Sequence, residues 1–245
     1  MVTDMRIKLS LQPTDGEFNQ PNKHAVQGFI YNMLRDTRYE ERHDEPRFKF
    51  FTFSDFFRDR KGRLTFIISS PERGFINALY SKLKKREHVY IGKHQLKLLE
   101  VTKFDVPLRN RFQTGSPIVI YKNSRENEYF KLHTHLDLRF FLERLKDNAE
   151  RKYNAFYDDD FILEGPLFDR IIPKVRNNNK LDVYVKVVKN GRPFPVIGSN
   201  WELLEKERIE PHERRFYRFI MEAGLGEKNS LGFGFINPIR GEGRA

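Results

Sequence analysis

A chain of 245 residues, 38% of them hydrophobic, is long enough for two domains of about 120 residues, each with its own core. The 45 Lys and Arg against 34 Asp and Glu leave a net charge of +11, which favours a polyanionic partner, either nucleic acid or an acidic membrane face. Cysteine is absent, which excludes a disulfide framework, a thiolate nucleophile and Cys-based zinc or iron–sulfur sites. No stretch approaches the roughly 18 consecutive apolar residues of a membrane span, and the N-terminus MVTDMRIKLS lacks an apolar signal core. The chain therefore reads as cytosolic and soluble, with no membrane partner. The charge is unevenly placed: residues 1–50 hold 8 basic and 8 acidic side chains, residues 201–245 again 8 and 8, and residues 51–200 hold 29 and 18.

Residues 5–12, MRIKLSLQ, alternate Met5, Ile7, Leu9 and Leu11 with polar partners, the period of a strand with one buried and one wet face. Asn22 then caps a helix to about Arg35, with Val26, Phe29, Ile30, Met33 and Leu34 at helical spacing. Two strand-like runs, residues 48–57 and 63–69, flank the turn Asp59-Arg60-Lys61-Gly62. A helix from Pro71 carries Phe75, Ile76, Leu79 and Leu83, and strand material follows over residues 88–104. The order is β-α-β-β-α-β, the ferredoxin-like arrangement.

A break at Gln113-Thr114-Gly115-Ser116-Pro117 places the domain boundary near residue 112, giving domains 1–112 and 113–245. The second begins with a strand PIVIYKN and a hairpin partner EYFKLHT, then an amphipathic helix over about residues 135–156. Strands at residues 181–188 and about 192–199 and a helix over about residues 211–223 complete a less regular copy of the same pattern. The expected architecture is α+β: two tandem ferredoxin-like (RRM-like) domains with a C-terminal glycine-rich loop.

That loop, Gly224-Leu225-Gly226-Glu227-Lys228-Asn229-Ser230-Leu231-Gly232-Phe233-Gly234-Phe235, holds four glycines in its first eleven residues. Glycine permits positive φ and close backbone approach, and Gly226, Lys228, Asn229 and Ser230 offer groups that can hold a phosphate. It is neither a dinucleotide fingerprint nor a P-loop, and a tight helix-to-strand turn explains it equally well. Charge points more clearly to nucleic acid between residues 170 and 192, where Arg170, Lys174, Arg176, Lys180, Lys186, Lys189 and Arg192 face one acid, Asp182. On a strand, Lys186 shares a face with Tyr184 and Val188, so a cation and an aromatic can meet RNA together. His133 and His135 would share a strand face but lack a third ligand, and Asp158-Asp159-Asp160 fits a solvated loop better than a metal site.

The glycine loop, of the form G-h-G-x-x-x-x-x-G-h-G, resembles the signature of the RAMP superfamily. Within it, G-L-G-E-K-N-S-L-G-F-G, the helix segment H-A-V-Q-G-F-I-Y (residues 24–31) and the block R-H-D-E-P-R-F-K-F-F-T-F-S (residues 42–54) resemble the CRISPR-associated endoribonuclease that cuts precursor CRISPR RNA within its repeats. With the tandem domains, the resemblance covers essentially the whole chain. It implies a catalytic triad of Tyr31, His43 and Lys49, no metal and no cofactor, and products with 5′-hydroxyl and 2′,3′-cyclic phosphate ends.

The chemistry suits these residue types. Metal-free RNA cleavage needs a deprotonated 2′-hydroxyl, a protonated 5′-oxygen and stabilisation of charge on phosphorus. A His with a pKa near 6.5 exchanges protons at neutral pH, and a Lys supplies fixed charge. The acid and base roles of His43 and Tyr31 stay open. Each residue also fits an ordinary role: Tyr31 in a core, His43 on a polar surface, Lys49 on a wet strand face. The resemblance further implies precursor CRISPR RNA repeat as partner, leaves a CRISPR effector complex open as a second partner, and does not choose between monomer and homodimer. The alternative function is a member that binds repeat RNA without cutting, or an effector-complex subunit.

Overall fold

The computed structural model of the protein describes residues 5–14, 18–40, 48–135, 137–176, 179–189 and 191–240. In the first half, β1 (Arg6–Pro13) lies at the centre of a sheet. Its Ile7, Leu9 and Leu11 are fully buried with Val26 and Ile30 of α1 (Lys23–Met33) and Ile76 and Leu79 of α2 (Arg73–Leu83). The side chain of Asn22 accepts from His24 N–H and caps α1 as its position in sequence predicts.

The long strand expected over residues 48–57 is instead two short pieces, β2 (Thr52–Phe53) and β3 (Phe57–Arg58), both antiparallel to β4 (Leu64–Ser69). Between them the backbone leaves the ladder: Ile67 N–H donates to Ser54 Oγ at 3.0 Å, and Asp55 N–H donates to Gly115 O at 2.9 Å. A hairpin of β5 (His88–Ile91) and β6 (His94–Phe104) completes the sheet, in the order β2-β4-β1-β6-β5.

The second face of β1, expected to be wet, is covered at one end. The register aligns Arg6 with Ser69 of β4, and Ser69 with Thr52 of β2, and all three are buried. Arg6 donates to Met221 O at 2.9 Å and Ile236 O at 2.8 Å, Ser69 to Glu222 O at 2.8 Å, and Thr52 to Phe233 O at 2.9 Å. The C-terminal segment thus closes that face through side chains that satisfy its carbonyls.

The second sheet is built from strands too short to show a clear period: β7 (Arg111–Thr114), β10 (Arg170–Pro173), β13 (Trp201–Glu205) and β14 (Ile236–Pro238), in the order β10-β13-β7-β14. Residue 112 lies within β7. The hairpins β8 (Tyr121–Asn123)–β9 (Glu128–Tyr129) and β11 (Asp182–Lys189)–β12 (Arg192–Ser199) are separate two-stranded sheets. The stretches read as sheet strands at residues 181–188 and 192–199 are therefore a separate two-stranded hairpin inserted in sequence between β10 and β13.

Two helices, α4 (Leu138–Tyr157) and α5 (Arg214–Ala223), supply Phe141, Leu145, Phe216, Phe219 and Ile220 to the core with Trp201 and Leu204. The short α3 (Leu132–His135) precedes α4, so His133 and His135 sit on a helical turn and not on a strand. Both halves place their helix-linked strands in the ferredoxin order, and the fold is α+β with tandem ferredoxin-like units. Among the described residues, no helix is long and apolar enough to cross a membrane.

Candidate functional site

The run F-K-F-F at residues 48–51 alternates between two environments. Phe50 packs against Phe156 of α4 (4.9 Å between ring centroids) and Phe219 of α5 (6.1 Å), which fixes the run to the second half. Phe51, one residue on, meets Tyr31 edge-on at 5.7 Å in the first core. Lys49 shares that side, and its Nζ lies 5.8 Å from the centroid of the Tyr31 ring. Two of the three proposed catalytic residues are thereby brought together, with Tyr31 about 9% exposed and Lys49 half-buried. Lys49 precedes β2 by three residues and does not itself lie in a strand. His43 lies outside the described residues.

The glycine loop is a tightly packed joint. Gly224, Gly226, Gly232 and Gly234 all have φ between +65° and +87°. At Gly234 an added Cβ would sit 1.8 Å from Leu225 O, and at Gly226 it would sit 2.4 Å from Val119 O. The side chain of Asn229 is buried and donates to Leu225 O (2.9 Å) and Phe233 O (3.0 Å). From α4, the buried Lys152 donates to Gly224 O (2.7 Å), Gly226 O (3.1 Å) and Asn229 Oδ1 (2.8 Å), and burial pulls its pKa down to about 7. From α1, Lys23 donates to Gly232 O (2.7 Å) and pairs with Asp55 (2.6 Å). Ser230 Oγ accepts from Gln27 of α1 at 3.0 Å. Of the four loop residues proposed to meet RNA, Gly226 and Asn229 are buried, while Lys228 and Ser230 are partly exposed.

The basic residues present a different surface. Arg170, Lys174, Arg176, Lys180, Lys186, Lys189 and Arg192 are all exposed. Only Arg170 has a carboxylate within 4 Å among the described residues, Glu205 at 3.6 Å. Tyr184 is 59% exposed on the same face of β11 as Lys186, while Val187 on the opposite face is fully buried. The hairpin is held beside the helix that carries Tyr31, because Asn22 Nδ2, at the cap of α1, donates to Val188 O at 2.7 Å.

Lys152 was not among the candidates, although its position on α4 carries a signal. It falls on the stripe of Phe141, Leu145, Asn148 and Ala149, where a lysine is out of pattern and must find acceptors once buried. His135 is structural: its Nδ1 accepts from Lys131 N–H at 2.9 Å, and its ring packs on Phe130. Among the described residues, no three His, Cys, Asp or Glu side chains gather where they could hold a metal ion.

The fold and the site define a protein of two tandem ferredoxin-like units joined by a buried C-terminal glycine loop. The family described as CRISPR associated protein Cas6, C-terminal, matches residues 102–238. A CRISPR-associated endoribonuclease Cas6 2 from Methanocaldococcus jannaschii is 52% identical over 242 residues, covering 96% of this chain and all of that protein. This chain belongs to the Cas6 family of CRISPR-associated endoribonucleases. Its fold is similar to that of a Cas6-related protein from Pyrococcus furiosus (TM-score 0.69, 18% identity, 96% of this chain and 98% of that one). A RAMP protein that binds different RNA substrates has a TM-score of 0.68 at 20% identity, with 96% of this chain and all of that one covered.

Proposed function

We propose that this protein processes precursor CRISPR RNA by a single cut within the repeat, using the RNA's own 2′-hydroxyl and no metal ion. The observation that carries this reading is the meeting of Lys49 with Tyr31, in a chain otherwise built like its family. The 2′-oxygen attacks the adjacent phosphorus, the bond from phosphorus to the 5′-oxygen breaks, and a proton reaches the departing oxygen. The products are a 2′,3′-cyclic phosphate and a 5′-hydroxyl.

Each residue has a task in that step. The Lys49 ammonium, on a run anchored by aromatic packing, offsets the negative charge that builds on the phosphoryl oxygens. His43 transfers a proton near neutral pH, and Tyr31 orients or deprotonates the attacking hydroxyl. The exposed cations of residues 170–192 attract the RNA backbone and guide it past α1.

The test is cleavage of cognate repeat RNA by purified protein in EDTA, with and without a 2′-deoxy sugar immediately 5′ of the scissile phosphate. Cutting of the natural RNA and none of the deoxy RNA is expected. Cutting of the deoxy RNA, or a strict need for Mg²⁺, overturns the mechanism. His43→Ala should slow cutting by about 10² to 10⁴-fold while leaving binding nearly intact; unchanged cutting would exclude His43.

A further inference from the structure

A cleft of about 550 Å³ opens between the β8–β9 hairpin and β12, and neither Tyr31 nor Lys49 lines it. Its lining is largely apolar, with Phe194, Pro195 and Ile197 from β12 and the buried Tyr129 from β9. Lys131 and Lys228 also line it. Tyr129 stacks on Tyr121 at 4.9 Å and 18° between planes, and Lys228 Nζ lies 5.4 Å and 5.9 Å from the two ring centroids. Burial and a hydrogen bond with Tyr121 push the Tyr129 hydroxyl up to about 12, so it stays protonated across the physiological range. Glu128, paired with Lys122 at 2.9 Å, adds a carboxylate to the lining.

We infer that this cleft receives one unpaired nucleotide of the bound RNA, its base against Phe194 and Pro195 and its phosphate on Lys228 and Lys131. This rests on the reading above that the chain binds repeat RNA, and it names where a base is held apart from the cut. Three features select that occupant. At about 550 Å³ the cleft admits a nucleotide and not a duplex, so RNA would enter it as an unstacked base. A partly exposed aromatic side chain beside two lysines matches a base joined to a phosphate, whereas an apolar peptide segment would offer the ammonium groups no anion. The cleft is also continuous with the basic hairpin, since the β12 residues that line it pair with the exposed Lys186 strand, Lys186 opposite Pro195. The Glu128 carboxylate can accept from the amino edge of a base, whereas it would repel a bare phosphate.

The experiment measures binding of the full chain to cognate repeat RNA in which an abasic residue is walked through the sequence, one position at a time. Wild-type protein should show one position outside the scissile pair where loss of the base weakens binding by about tenfold. Phe194→Leu, which keeps an apolar side chain but removes the ring, should erase the penalty at that position alone. Lys228→Gln, at a partly exposed side chain, should instead erase the sensitivity to a neutral methylphosphonate at the same nucleotide. Identical abasic profiles in wild type and Phe194→Leu, with tight binding retained, would overturn the cleft assignment and leave the RNA function standing. Equal binding of repeat and scrambled RNA would overturn the functional reading and the assignment with it.

Discussion

The glycine loop and the β11–β12 hairpin carry comparable sequence signals for a polyanion, yet their polar groups point in opposite directions. In the loop, the backbone carbonyls of Gly224, Leu225, Gly226, Gly232 and Phe233 all accept from buried side chains, Gly224 and Gly226 from Lys152, Gly232 from Lys23, and Leu225 and Phe233 from Asn229. In the hairpin, Lys186, Lys189 and Arg192 project outward, and none has a carboxylate within 4 Å among the described residues. Glycines that look like a phosphate cradle are explained by close packing of two domains around one helix-to-strand joint, while the hairpin's ordinary-looking surface lysines remain exposed and unpaired with carboxylates among the described residues. Positive φ is thus evidence about backbone proximity, and its ligand has to be found by asking what approaches.

The largest effect that would break this contrast is expected in the loop. Gly234→Ala puts a methyl group into Leu225 O at a φ of +71°, so about 4 kcal/mol or more of stability should be lost. A thermal midpoint more than about 10 °C below wild type would register it; a midpoint within a few degrees would show that the loop is not a tightly packed joint. Lys152→Met comes next. It leaves two carbonyls and an amide oxygen without donors in the interior, which should cost about 3 kcal/mol. A midpoint unchanged from wild type would mean that those oxygens find other donors.

A smaller effect sharpens the contrast through pH. Burial raises the Glu222 carboxyl from 4.5 to about 7, against the pull of Arg218 and Arg6. Between those values the folded protein holds a proton that the unfolded chain has released, so the contribution is complete below pH 4.5 and is lost as pH rises through 7. Glu222→Gln should flatten the fall in thermal midpoint from pH 4.5 to 7. A fall as steep as in wild type would place the titration elsewhere.

Much of the first half is legible in the amino-acid sequence because its strands are long enough to show a period: Ile7, Leu9 and Leu11 announce β1, and Phe75, Ile76 and Leu79 announce α2. The wet face of β1 misleads because Arg6, Ser69 and Thr52 are polar residues buried by a segment more than 150 residues away. In the second half, RFQT, RIIP and INP are three or four residues each and cannot display alternation, so the longer DVYVKVVK hairpin takes their place in any reading by pattern. Tyr31 and Lys49 became candidates through resemblance alone. Their spatial pairing depends on Phe50 and Phe51 turning to opposite cores, which no local pattern encodes.

The most direct test of the central contrast is the salt dependence of RNA affinity in a variant carrying Lys186→Gln, Lys189→Gln and Arg192→Gln. If these exposed cations neutralise phosphates on a single strand, the slope of log affinity against log salt should become shallower by about 2. The thermal midpoint should stay within about 2 °C of wild type. A slope equal to that of wild type would contradict the account, because the attraction for RNA would then have to come from elsewhere on the chain.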